Sequence, residues 1–138
     1  MHLRSMRLED YADAYKLWQH VPGMNLDSLD NSFEGIARFL IRNPNTSIVA
    51  EEDGQLVGTL LGGTDGRKGF IYHTAVHPNY QGRHIGTLMT DYVSKQFKAD
   101  GIVKIGLFVV AGNHAAKQFW QHKGWSTRPD IIYLDRDL

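Results

Sequence analysis

Between His73 and Leu88 the chain reads His-Thr-Ala-Val-His-Pro-Asn-Tyr-Gln-Gly-Arg-His-Ile-Gly-Thr-Leu, combining a titratable imidazole, two glycines, an arginine and a helix start. This spacing points to anion binding. The first backbone N–H groups of a helix have no internal partner, and the macrodipole adds partial positive charge there. Gly82 and Gly86 carry no Cβ, so backbone approaches a bulky phosphate closely, and Arg83 adds a formal charge. Ahead of the loop, His73 offers a base whose ordinary pKa suits proton removal near neutrality. The competing readings are structural: a hydrogen-bonded strand histidine and a loop whose glycines only turn the chain.

The elements that must position these residues follow from pattern. Phe70 to Val76 is β-branched and aromatic enough for a strand, which Pro78 ends. Ile85, Leu88, Met89, Tyr92, Val93 and Phe97 recur at helical steps, and Asp100-Gly101 closes that helix near Ala99. Upstream, Leu3 to Arg7 is an opening strand and Glu9 to Trp18 a first helix, followed by a loop from Gln19 to Leu29. Asp30 is expected to cap a second helix through Arg42, with Phe33, Ile36, Ala37 and Leu40 inward. Asp53-Gly54 predicts a hairpin between strands at Ser47–Glu52 and Gln55–Gly62, and Gly62 to Lys68 reads as a glycine-rich turn into the next strand. Val103 to Val110 reads as a strand covered on both faces, parallel to Phe70–Val76 after a right-handed crossover. Asn113 caps a short helix ended by Gly124, and Trp125 and Ile131–Leu134 supply final strands around a turn at Arg128-Pro129-Asp130.

Composition narrows the function classes. The 138 residues fit one domain, with zero formal net charge and an isoelectric point near 7.1, so nothing draws the chain toward nucleic acid or an anionic membrane. No apolar run reaches membrane length and no signal-type stretch is seen, which leaves the cytoplasm as the expected location. Cysteine is absent, excluding disulfides, thiolate zinc sites and an acyl-cysteine intermediate. Among the seven histidines, His73 and His77 would lie about 13 Å apart on a strand, and His114 and His122 about 12 Å apart along a helix. Neither pair suits one ion, and no metal is expected. The glycine loop is followed by no Gly-Lys-Ser/Thr and lacks G-x-G-x-x-G spacing, which argues against a general nucleotide binder.

A second motif lies downstream: Leu107-x-Val109-x-x-x-Asn113-x-x-Ala116-x-x-Phe119-Trp120-x-x-x-Gly124-Trp125. With Val76-His77-Pro78 and Gln81-x-x-His84-x-Gly86, it resembles the two signatures of the GNAT superfamily of acyl-CoA-dependent N-acyltransferases. The first differs in having His84 where that family usually has glycine, and the second in having Trp120 where it has tyrosine. The resemblance spans essentially the whole chain. It implies an α/β (α+β) fold in a single domain over residues 1–138. A mixed central sheet of about six to seven strands would carry helices on both faces and splay two parallel strands around an acyl-CoA site.

It further implies acetyl-CoA as cosubstrate. Coenzyme A contacts fall at Ala75, Val76, Gln81, Gly82, Arg83, His84, Ile85, Gly86, Thr87, Asn113, Ala116 and Trp120. The N–H around Val76 would face the thioester carbonyl. The family's usual base positions correspond to Tyr72 and His73. An indole N–H at Trp120 does not release its proton at useful pH, so either water or another group such as Tyr80 would protonate the thiolate, or transfer would be slow. The expected activity is acetyl transfer to a small-molecule or peptide primary amine in a ternary complex; the alternative is a non-catalytic acyl-CoA binding or sensing module. A homodimer is one option for the assembly. Acceptor selectivity would come from Gln19–Leu29, the second helix and the terminal hairpin, with Asp27, Asp30 and Glu34 able to attract a cation or simply decorating the surface.

Overall fold

Asp53 and Gly54 sit at φ 52° and 74°, so this pair turns the chain tightly between β2 (Ser47–Glu52) and β3 (Gln55–Thr64). The computed structural model describes residues 1–24 and 30–138. Residues 25–29 of the expected Gln19–Leu29 loop, Asp27 among them, lie outside the described residues. From the hairpin the sheet grows in both directions. β1 (His2–Ser5) pairs antiparallel with β2, and β4 (Gly69–Val76) pairs antiparallel with β3. The chain then crosses over through α3 (Ile85–Ala99) to β5 (Ile105–Leu107), which lies parallel to β4, giving the order β1-β2-β3-β4-β5.

Both faces of this sheet are covered, which is why its central strands are apolar almost throughout. On one face Ile85, Met89, Val93 and Phe97 of α3 pack on Ile48, Ala50, Val57, Leu60 and Ile71. On the other, α1 (Tyr11–His20) and α2 (Phe33–Arg42) bring Ala14, Leu17, Trp18 and Ile36 against Val49, Leu61 and Ala75. Ile48, Val49 and Ala50 are each fully buried, alternating between the two cores as strand geometry requires. Arg4 of β1 holds Asp10 at the start of α1 through two 2.8 Å contacts and also pairs with Glu51, fixing α1 on the sheet. Among the described residues no helix is long and apolar enough to cross a membrane.

Several expectations change. The cap of α2 is Ser32, whose hydroxyl accepts from Gly35 N; Asp30 instead accepts from Ser32. Of the expected inward residues of α2, Ile36 is buried while Phe33 is 46% exposed. β3 runs past the expected end at Gly62 to Thr64, taking Gly63 out of the turn: a Cβ on Gly62 would fall 2.6 Å from Thr46 O, and one on Gly63 2.9 Å from the Phe39 ring. These glycines let neighbours touch the sheet backbone, and only Gly66, at φ 99°, turns the chain. The Val103–Val110 run pairs through Ile105–Leu107 alone, with Val103 94% and Phe108 60% exposed, so it is a short edge strand and not a buried one. Ile131–Leu134 forms no strand, and its four side chains are 55–86% exposed. The described sheet therefore has five strands where six to seven were expected. β-propensity expresses packing on a neighbouring strand, and β5 offers too short an edge to recruit one.

Candidate active site

The site begins at a break in β4. Thr59 pairs with Ala75 and Leu61 with Tyr72, so His73 and Thr74 together oppose the single residue Leu60. The bulge puts His73 at φ 51°, the left-handed region, and bends β4 away from β5, whose ladder ends at Ile71–Leu107. Two buried side chains brace the bulge. Trp18 Nε1–H donates to Thr59 Oγ1 at 2.9 Å, and the Thr59 hydroxyl donates to His73 O at 2.8 Å. Trp18 and Thr59 are 1% and 0% exposed, and the Trp18 and His73 rings lie 4.5 Å apart.

The His73 imidazole is held by Asn31, with Nε2 2.5 Å from Oδ1. A carboxamide oxygen only accepts, so Nε2 carries the proton and Nδ1 keeps its lone pair. Burial lowers the pKa of this ring to about 4, so it is uncharged at neutral pH. Tyr72 beside it is pushed above the ordinary phenol range, first by burial and then by Tyr133.

After the bulge, strand geometry aims one amide into the gap between β4 and β5. His77 N donates to Val57 O of β3 at 2.8 Å. Successive N–H groups of an extended strand face opposite edges, so Val76 N–H faces away from β3. The Val76 carbonyl, on the same edge, accepts from Gln81 Nε2 at 3.1 Å, which ties the loop to the strand end.

The loop then reaches α3 through two left-handed residues, Gly82 at φ 81° and His84 at φ 63°. His84 is the N-cap and supplies no side-chain hydrogen bond, so the first amides of α3, from Ile85, Gly86 and Thr87, point outward without an internal partner. Left-handed His84 followed by helical Ile85 turns successive N–H groups to one side, as in an anion-binding nest. A Cβ on Gly82 would meet nothing within 4 Å, whereas one on Gly86 would stand 3.2 Å from the Phe119 ring. Gly86 therefore lets α4 (His114–His122) approach α3 as well as leaving room at the nest. Asn113 caps α4 by accepting from Ala116 N at 3.1 Å, and its Nδ2 lies where a Cβ on Gly23 would be 2.5 Å away, so the chain leaving α1 closes over the start of α4.

These parts enclose one cavity of about 1290 Å³. Its wall includes Tyr72, His73, Ala75, Val76, Gln81, Gly82, His84, Ile85, Gly86, Thr87, Asn113, Ala116 and Trp120, all expected from sequence. Arg83 is the exception. Its guanidinium packs 5.0 Å over the Tyr80 ring and 3.8 Å from Glu52, off the cavity wall. Sequence reasoning missed Thr59, Trp18, Asn31 and Thr74. Thr74 Oγ1 is buried on this wall with no hydrogen-bond partner among the described residues. A lone threonine or tryptophan inside an apolar run carries no signal that separates a brace from core. Among the described residues no three His, Asp or Glu side chains cluster as metal ligands would.

A mixed five-stranded sheet that parts beside outward helix amides, with helices on both faces, defines the class: an α/β domain with an anion-binding cleft at the parting. The acetyltransferase (GNAT) family model matches residues 6–125, and the chain belongs to that family. It is 30% identical over 138 residues to an acetyltransferase of Sodalis glossinidius, covering all of this chain and 96% of the relative. It is 35% identical over 115 residues to an acetyltransferase of Photorhabdus laumondii, covering 83% of this chain and 79% of that one. Among solved structures, the PaiA N-acetyltransferase from Thermoplasma acidophilum, crystallised with coenzyme A, superposes with a TM-score of 0.82 at 17% identity. That match covers 92% of this chain and 90% of the other.

Proposed function

We propose that this protein is an N-acetyltransferase that moves the acetyl group of acetyl-CoA to a primary amine by direct attack within a ternary complex. The observation that carries the reading is the continuity of one cavity from the amide nest at Gly82–Thr87 to the bulged end of β4. The residues suit coenzyme A: outward amides for a diphosphate, open space at Gly82, and a Thr74 hydroxyl beside the gap, with no hydrogen-bond partner among the described residues, for an amide or carbonyl of the pantetheine arm.

In this reading the amine lone pair attacks the thioester carbon. The oxyanion that develops accepts from Val76 N–H, which is fixed before reaction and so needs no reorganisation. Collapse breaks the C–S bond, the amide forms, and the thiolate leaves. The proton lost by nitrogen passes to His73 Nδ1 or water. An imidazole whose pKa is about 4 does not hold that proton at neutral pH, so His73 acts as a relay to solvent and not as a store. Water or Tyr80, which lines the cavity, protonates the thiolate. Trp120 is buried against Trp125 at 5.2 Å and serves as a wall. With no cysteine in the chain, direct transfer replaces an acyl-cysteine route.

Titration calorimetry with acetyl-CoA, followed by thiol release across a panel of primary amines at pH 6–9, tests this. Binding with turnover is the expected result. Binding without thiol release for any amine would instead favour an acyl-CoA sensor, the reading that Trp120 and the low pKa of His73 support. Absence of binding would overturn both.

A further inference from the structure

A row of aromatic rings runs along the face of the sheet that α1 and α2 cover, starting at Phe39 of α2. It continues through Tyr72 and Phe70 of β4 to Phe108 and Tyr133, with centroid separations of 5.9, 5.5, 4.8 and 4.7 Å. Tyr72 and Phe70 alternate with inward Ile71, so both rings share that face. Tyr72, Phe70, Phe108 and Tyr133 all line the large cavity. Phe108 and Tyr133 are 60% and 59% exposed, so the fold gains little from burying them. A contiguous aromatic wall in that cavity, partly buried at Phe70 and Tyr72 and exposed at Phe108 and Tyr133, is what a flat apolar ligand recognises.

Charge divides the same cavity. Lys123 lies on the α4 side, toward the nest. The single carboxylate among the described lining residues, Asp135, follows Tyr133 at the aromatic end. The Lys123 side matches an anionic thioester carrier; at the aromatic side Asp135 matches a single ammonium, beside Lys68 Nζ, which stands 5.8 Å from the Phe70 centroid. One carboxylate is too few for a polyamine with several ammonium groups.

We propose that the acceptor is a primary amine carried on an aromatic body, its ring held by Tyr72, Phe70, Phe108 and Tyr133 while its nitrogen reaches the bulged end of β4. This rests on the acetyl-transfer reading and specifies its acceptor.

The test compares 2-phenylethylamine, spermidine and a short peptide with a free N-terminus as acceptors for the intact protein. The expected kcat/KM for 2-phenylethylamine is at least tenfold above either other amine. Phe108→Ala and Tyr133→Ala are each expected to lower it at least fivefold, mainly through KM for the amine, with acetyl-CoA affinity within twofold of the parent. Phe108→Leu keeps apolar bulk without a ring and is expected to fall between. Because both side chains are more than half exposed, these variants fold, and melting curves verify that. Spermidine or peptide turning over as well as the arylamine, or full activity in Phe108→Leu, overturns the proposal while acetyl-CoA binding and transfer persist. Loss of acetyl-CoA binding by the parent protein would instead remove the underlying reading, and this proposal with it.

Discussion

His73 combines a left-handed backbone, a hydrogen bond to Asn31 and a partly buried ring whose pKa is lowered to about 4. Its consequence for stability has a definite sign. Above pH 6.5 the ring is neutral folded and unfolded; as pH falls, the unfolded chain binds the proton first, so stability is present above pH 6.5 and declines between 6.5 and about 4. The loss reaches at most about 3.5 kcal/mol, from about 1.4 kcal/mol per pKa unit. Asparagine tolerates φ > 0, so His73→Asn keeps the bulge and removes the titration. Urea midpoints at pH 7.5 and 4.5 should fall less steeply in the variant; parallel slopes would show that His73 is not the neutral group described. The same pKa means that the His73 ionisation itself should not appear in kcat/KM near pH 6.5. At Gly62 the issue is contact. A methyl group there meets Thr46 O at 2.6 Å and the Phe97 ring at 3.0 Å, so Gly62→Ala should cost about 3 kcal/mol in denaturant unfolding. A neutral result would restore the turn reading.

The element that decides the chemistry is the bulged β4, and what holds its shape lies on other elements: Trp18 of α1 and Thr59 of β3. Removing the Thr59 hydroxyl leaves a buried indole N–H and the His73 carbonyl unpaired, at about 1–3 kcal/mol each. Thr59→Val should therefore lower both stability and kcat while changing KM for acetyl-CoA less than twofold, and Thr59→Ser should recover most of kcat. If valine lowers stability alone, the brace is structural only. This explains what was legible beforehand. Glycines, prolines and caps act locally, so the Asp53-Gly54 hairpin, the Gly101 stop and the Asn113 cap could be read from neighbouring residues. The nest residues came with a spaced motif, and all of them but Arg83 reach the cavity. The bulge was not legible, because it depends on a register between β3 and β4 that only the closed sheet sets. Nor was the brevity of β5, since Val103–Val110 is apolar enough for a buried strand but lies at an edge.

Across the whole molecule the sheet is anchored on one side and open on the other. β1 through β4 are paired over long ladders between two cores, whereas β5 meets β4 over three residues and then parts from it. A thioester carrier in that gap would supply the contacts β5 lacks, so binding should stabilise the molecule unevenly. Globally, acetyl-CoA at 100 times its Kd adds about 2.7 kcal/mol, which for a chain of this size raises the melting temperature by about 8 °C. Locally, amides that open without global unfolding respond most. Hydrogen exchange at Ile105–Leu107 and Val76 should slow by at least tenfold on adding acetyl-CoA, while exchange in the β2–β3 hairpin follows only the global term. Val76 N–H is the discriminating probe. It points away from β3, so protein contacts alone leave it poorly protected, and a thioester carbonyl seated in the gap would accept from it. If the β5 amides slow and Val76 does not, the carrier lies in the gap with its carbonyl aimed elsewhere, and the oxyanion role assigned to that amide fails.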